Sequence, residues 1–226
     1  MKDLQFLGVG GSQALELGQN CAYILDANHL FLIDCCEDAT SKLKNKGILD
    51  NIKKITIAIT HTHADHVGGL GSFLWYSNFL LNIKPTIIRN SKSFEKTIKQ
   101  LLDLLGVKDK YYDFVDFDKL IIDNCKVEML PTSHTENLKS FGIMFSDNMG
   151  KYYYTGDTKD FDLIYKLAKS NEIKKIYCEA SWSSYDSHIE YEKLKDIKDK
   201  KFVLMHFEDV KLYNTAIKDG FNVAKI

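Results

Sequence analysis

The segment His61-Thr62-His63-Ala64-Asp65-His66 puts three imidazoles and one carboxylate within six residues. Imidazole nitrogen and carboxylate oxygen are good ligands for zinc, iron and manganese ions. A lone histidine is usually a structural or surface residue, but three exposed imidazoles in one tight turn have no evident packing role. The spacing also sorts the donors. His61 and His63 alternate, so from an extended segment both can point the same way. Asp65 and His66 follow at the turn into a helix and can face a second ion. One strand end thus begins two metal sites and completes neither.

The remaining ligands must come from elsewhere, and the candidates again lie at strand ends. His134 follows a strand at Lys126–Leu130, Asp157 follows Tyr152–Tyr154, and His206 follows Phe202–Met205. A rigid strand ending in a ligand is the support that a metal site requires. The strand that delivers the first cluster is Ile55–Thr60, β-branched and apolar enough to be buried.

Earlier strands are expected at Leu4–Val9, Ala22–Leu25 and Leu30–Ile33, and a helix at Ala39–Lys46. Leu70–Leu81 reads as a helix after Gly68 and Gly69. Ser91–Leu105 is the clearest amphipathic helix, with Phe94, Ile98, Leu101, Leu102 and Leu105 on one face and Gly106 stopping it. Phe141–Phe145 and Lys175–Cys178 complete the strands. Phe161–Lys169, Glu190–Ile197 and Val210–Lys218 complete the helices. Strands in two groups, each followed by helices, predict two sheets packed together with helices outside.

The chain has 226 residues, two prolines and no flexible linker composition, so one domain spanning 1–226 is the simplest reading. A formal net charge of −1 gives no basic field for a long nucleic acid. A small anion stays open, because bound metal ions would supply local positive charge. No apolar run suits a membrane span or a signal peptide. Five cysteines (Cys21, Cys35, Cys36, Cys125, Cys178) form no CxxC pair. With no secretion signal, they read as reduced thiols in a cytoplasm.

Taken together, His61-Thr62-His63-Ala64-Asp65-His66, His134, Gly156-Asp157-Thr158 and His206 resemble the full signature of the metallo-β-lactamase superfamily. The resemblance runs from Phe6-Leu7-Gly8 to His206. It implies an α+β fold, an αββα sandwich of two mixed sheets packed face to face, with the site at one edge. It implies two divalent ions, Zn²⁺ first with Mn²⁺ or Fe as alternatives. His61, His63 and His134 would hold one ion, Asp65, His66 and His206 the other, and Asp157 would bridge them. Asp34 matches a family aspartate that supports the site from behind the ligands. Cys36 stands where the family usually has glycine, which puts a thiol near the metals. A homodimer is likewise implied by the resemblance alone.

Asp157 stands where dizinc β-lactamases carry cysteine, and His63 where di-iron flavin partners carry glutamate, so both branches are disfavoured. Phe6-Leu7-Gly8-Val9-Gly10-Gly11-Ser12 is similar to the opening of ribonuclease Z. Cys178-Glu179-Ala180-Ser181 and Ser187-His188-Ile189 are similar to its Glu-Ala-Thr and His-x-Thr motifs. By that resemblance Glu179 orients His188, and His188 protonates the leaving oxygen. Two ions about 3.5–4 Å apart can generate a hydroxide near neutral pH and clamp a phosphoryl oxygen, with Asp65 holding or accepting its proton. The departing alkoxide then needs the proton that a carboxylate-held histidine can supply. The tRNA-processing members carry a long arm between the positions of His134 and Asp157, and here only Thr135–Gly156 intervene.

The expected activity is therefore hydrolysis of a small phosphodiester: a cyclic nucleotide, a cyclic phosphate or a short oligonucleotide. Hydrolysis of a thioester, lactone or other carbonyl ester is the alternative enzyme class. A non-catalytic nucleotide-binding protein is the third. Phe73, Trp75, Tyr76 and Phe79, and Trp182 and Tyr185, are aromatics that could stack on a base. Core packing is the simpler role for Phe73 and Phe79, and Trp182 stands open between the two. Lys42, Lys44, Lys46, Lys53 and Lys54 read as a solvated face.

Overall fold

In the computed structural model, which describes residues 1–226, the first group of strands forms one sheet. It comprises β1 (Gln5–Gly8), β2 (Cys21–Asp26), β3 (His29–Ile33), β4 (Lys54–Ala58), β5 (Thr86–Arg89) and β6 (Asp113–Asp116), in that spatial order. The first three strands pair antiparallel, and β3 to β6 pair parallel. Parallel neighbours need crossovers, which are helical here. They are α1 (Ala39–Asn45), then α2 (Ala64–Val67) with α3 (Leu70–Phe79), then α4 (Lys92–Leu104).

The second sheet mirrors this plan. β7 (Ile121–Ile122), β8 (Cys125–Thr132), β9 (Ser140–Asp147) and β10 (Gly150–Tyr154) are antiparallel neighbours. β11 (Ile173–Ala180), β12 (Phe202–Phe207) and β13 (Asn222–Val223) continue it in parallel. Their crossovers are α5 (Phe161–Lys169), α6 (Tyr191–Asp196) and α7 (Val210–Lys218). Two mixed sheets with helices on their outer faces make the expected αββα sandwich. No helix is long and apolar enough to cross a membrane.

Sequence chemistry sets the element limits. Ser91 caps α4 by accepting from the Phe94 amide at 3.1 Å, and Gly106 ends it with φ +75°. Phe94, Ile98 and Leu102 carry the buried face, while Leu105 of the expected stripe turns outward. Asp160 and Asp209 cap α5 and α7 in the same way. Between the sheets the apolar faces merge into one continuous core. Phe31 of β3 meets Phe145 of β9 across it, edge to face, with centroids 5.9 Å apart. The strands at Thr86–Arg89, Asp113–Asp116, Ile121–Ile122 and Asn222–Val223 were not expected from sequence. They have four residues or fewer, too few to display a period.

Phe145 is fully buried against the opposite sheet, so Phe145→Ala is expected to lower stability by about 3–5 kcal/mol in urea unfolding. A loss below about 1 kcal/mol would mean the two sheets do not depend on this contact.

Candidate metal centre

Four strands end at one edge of the sandwich, and each delivers a donor there. This is the carboxyl end of the parallel strands, where open α/β sheets commonly place their sites. His61 and His63 leave β4, His134 leaves β8, Asp157 leaves β10, and Asp65 and His66 lie in the first turns of α2. His206 was expected just past its strand. It lies inside β12, as an extra residue: Glu179 pairs with Met205, Ala180 pairs with Phe207, and His206 is skipped with φ +50°. A bulge re-aims a side chain, and here it turns His206 into the site.

The donors gather in two sets. His61 Nε2 lies 2.9 Å from His63 Nδ1, which is 3.3 Å from His134 Nε2. Asp157 Oδ2 is 3.9 Å from His61 Nε2 and 3.8 Å from His134 Nε2. In the second set, His66 Nε2 is 3.5 Å from Asp65 Oδ2 and 3.5 Å from Asp157 Oδ1. His206 Nε2 is 3.5 Å from Asp65 Oδ2 and 3.4 Å from Asp157 Oδ2. Asp157 thus reaches both sets.

Three of the ring nitrogens turned away from the site are occupied. Asp34 Oδ2 accepts from His66 Nδ1 at 2.8 Å, the Ser187 carbonyl accepts from His134 Nδ1 at 2.7 Å, and Thr60 Oγ1 lies 3.1 Å from His61 Nδ1. These contacts orient the rings and direct their other nitrogens inward. His66 Nε2, His206 Nε2 and Asp157 Oδ1 are buried with no hydrogen-bond partner. Orphaned buried polar atoms of this kind normally find a partner. Converging imidazole lone pairs and carboxylate oxygens are the donor set of a borderline divalent cation, so the residues fit two ions.

Electrostatics point the same way. Burial pushes the Asp157 carboxyl up, but His206 and His66 beside it outweigh burial and hold it well below the usual range. Asp65 is likewise raised by burial and held low by His206 and His66 beside it. Burial pulls His66 down, yet Asp157 and Asp34 overcome it and hold its charged form well above the normal histidine range. His61, facing other imidazoles, is driven well below that range by burial and by His66. The carboxylates therefore demand positive charge, while the first histidine set offers neutral lone pairs.

Glu179 and His188 are brought together as expected. Glu179, fully buried at the end of β11, accepts from His188 Nδ1 at 2.5 Å and from the Thr158 amide. Burial pulls His188 down, but the Glu179 hydrogen bond and charge carry it up to about 9. Its ring lies 4.9 Å from that of His134 and 5.8 Å from that of His206, beside the edges of both donor sets.

Several expectations need correction. The cluster is not an exposed turn: His61 and His66 are fully buried and His63 is half-buried. Trp182 is not free to stack, since it packs on Tyr191 and donates its indole N–H to Asp209 at 3.1 Å. Tyr185 is exposed. Phe73 is core, but Phe79 is 64% exposed and packs on Tyr111. The Cys36 thiol points to Asp38 at 3.3 Å. Thr60 was missed. Its amide and hydroxyl both donate to Asp34, at 2.7 Å and 2.9 Å, and its only sequence signal was its place before His61.

The fold is the metallo-β-lactamase fold, and its clustered donors could hold metal ions. More particularly, the chain belongs to the family described as Anti-Pycsar protein Apyc1, whose model matches residues 2–224. A similar relative, the Anti-Pycsar protein Apyc1 of Paenibacillus harenae, is 26% identical over 222 residues, 91% of this chain and 90% of its own. The metallo-β-lactamase fold protein YhfI from Bacillus subtilis superposes with a TM-score of 0.75 at 16% identity, over 98% of this chain and 95% of its own. The short form of human tRNase Z gives 0.67 at 19%, over 100% and 96%.

Asp34 orients His66 from behind. Asp34→Ala is expected to weaken Zn²⁺ binding to the metal-stripped protein about 10–100-fold in a calorimetric titration. Unchanged affinity at both sites would remove Asp34 from the support of the centre.

Proposed function

We propose that the chain hydrolyses a small phosphodiester, a cyclic nucleotide first, with two Zn²⁺ ions at the edge of the sandwich. His61, His63 and His134 would hold one ion, Asp65, His66 and His206 the other, with Asp157 within reach of both donor sets. When bound, such ions supply Lewis acidity and the positive charge that a phosphodiester anion needs. Asp65 holds or accepts the proton of the attacking water. His188 Nε2 gives its proton to the leaving ribose oxygen, and Glu179 keeps the ring oriented and charged for that step. Asp34 and Thr60 hold the ligands in place from beneath.

The observation that carries this reading is the 2.5 Å Glu179–His188 bond with its ring 4.9 Å from that of His134. A proton held on a histidine beside a metal centre serves a basic leaving group. It is idle in hydrolysis of an activated thioester, whose thiolate leaves unaided. The size of the site supports a small substrate. The cavity lined by Ser12, Ser181, Tyr185, His188, His206 and Glu208 has about 360 Å³, within the range of small-molecule sites. The hairpin of β9 and β10 fills the stretch where a tRNA-binding arm would emerge, and Tyr185 is exposed at the mouth for a base to stack on. The chain acts as one domain, and its five buried unpaired cysteines suit a reducing cytoplasm.

The test is His188→Ala assayed on 2′,3′- and 3′,5′-cyclic mononucleotides, with metal content measured in parallel. Turnover is expected to fall about 10²–10⁴-fold with the metals retained. Unchanged turnover, or activity on thioesters and lactones with none on phosphodiesters, would overturn the reading.

A further inference from the structure

His188 is carried by a loop whose shape is not self-supporting. Between Ser181 and His188 the chain passes through Tyr185 and Asp186, two consecutive non-glycine residues with φ of +45° and +56°. Side chains adopt that region only when their surroundings impose it. Within the loop, the Ser187 and His188 amides both donate to the Ser184 carbonyl, at 2.8 Å and 2.7 Å. These bonds close a turn but do not fix its place over the metal centre.

One tie comes from the centre itself, His134 Nδ1 donating to the Ser187 carbonyl at 2.7 Å; the others come from just past β12. Glu208 follows the bulge that holds His206, and its carboxylate faces the loop. Oε2 accepts from the Ser181 hydroxyl at 2.6 Å and from the Trp182 amide at 2.9 Å. Oε1 accepts from the Tyr185 hydroxyl at 3.1 Å. The next residue, Asp209, takes the Trp182 indole N–H while capping α7. The base of this clamp is firm. The Phe207 amide donates to the Val9 carbonyl at 2.8 Å, and the Gly11 amide donates to the Phe207 carbonyl at 2.8 Å. Hydrogen bonds to an ionised carboxylate are about twice as strong as neutral ones, and three converge on this one group.

We propose that Glu208 is a positioning residue for the proton donor: it holds the Ser181–His188 loop so that His188 stays on Glu179 and over the metal centre. One carboxylate thereby ties the loop to the strand that presents His206, so ligand and acid keep a common frame. A misplacement of about 1 Å in such a group costs on the order of 10²-fold in rate. The proposal rests on the reading of His188 as the acid, and its signature follows from that role. A p-nitrophenolate leaves without a proton, whereas a ribose alkoxide does not.

The experiment compares wild type, Glu208→Ala, Glu208→Gln and His188→Ala as full-length metal-loaded proteins. Each is assayed on bis-p-nitrophenyl phosphate and on a 3′,5′-cyclic mononucleotide. The far-downfield imidazole N–H resonance of the His188–Glu179 bond is recorded by proton NMR. Glu208→Ala is expected to lower kcat on the cyclic substrate about 10–100-fold, to lower it far less on the p-nitrophenyl ester, and to weaken or shift the resonance. Glu208→Gln keeps an acceptor for the Ser181 and Trp182 donors and is expected to restore most of all three. Equal losses on both substrates, or an unshifted resonance in Glu208→Ala, would overturn the positioning role. If His188→Ala itself shows no leaving-group dependence, the acid assignment fails instead, and the resonance still decides whether Glu208 places the ring.

Discussion

The constraint on which the rest depends is the burial of carboxylates at an otherwise apolar seam. Asp34, Asp65, Asp157 and Glu179 are each less than a tenth exposed, and an isolated buried charge of this kind is not tolerated. Each is met by an imidazole: His66 for Asp34, His66 and His206 for Asp65 and Asp157, and His188 for Glu179. His61, His66 and His134 in turn have one nitrogen fixed and the other directed inward. Charge balance and ligand geometry are thus one arrangement, and a divalent ion satisfies both.

The fold makes that arrangement affordable in conformational terms. Parallel strands with helical crossovers all end at the same edge, so donors far apart in sequence converge without long loops. His61, His63, His134 and Asp157 sit two to five residues past their strands, Asp65 and His66 in the helix that follows, and His206 within β12. The site stays open at Tyr185 and the Ser12 turn.

Much of this was legible in the sequence because ligand chemistry is local. His61 to His66 announce themselves by density, and His134 and Asp157 by their place after apolar strands. The helices Phe161–Lys169 and Val210–Lys218 were legible at the bounds the structure gives them. What escaped depends on contacts across the fold. The bulge at His206 arises from pairing of β11 with β12, and nothing in Leu-Met-His-Phe marks it. The packing of Trp182 on Tyr191, and the three donors on Glu208, exist only once β12 lies beside that loop. The burial of His61 and His66 likewise follows from the meeting of two sheets, not from their neighbours in sequence.

Asp157 is the residue in reach of both donor sets, so it carries the central claim of a two-ion centre. The most direct measurement is elemental analysis of the purified wild-type chain beside Asp157→Ala, with folding checked by circular dichroism. Wild type should carry about two equivalents of divalent metal per chain, and Asp157→Ala should lose at least one of them together with phosphodiester hydrolysis. A metal-free wild type, or an Asp157→Ala protein that retains the full complement, would contradict the account.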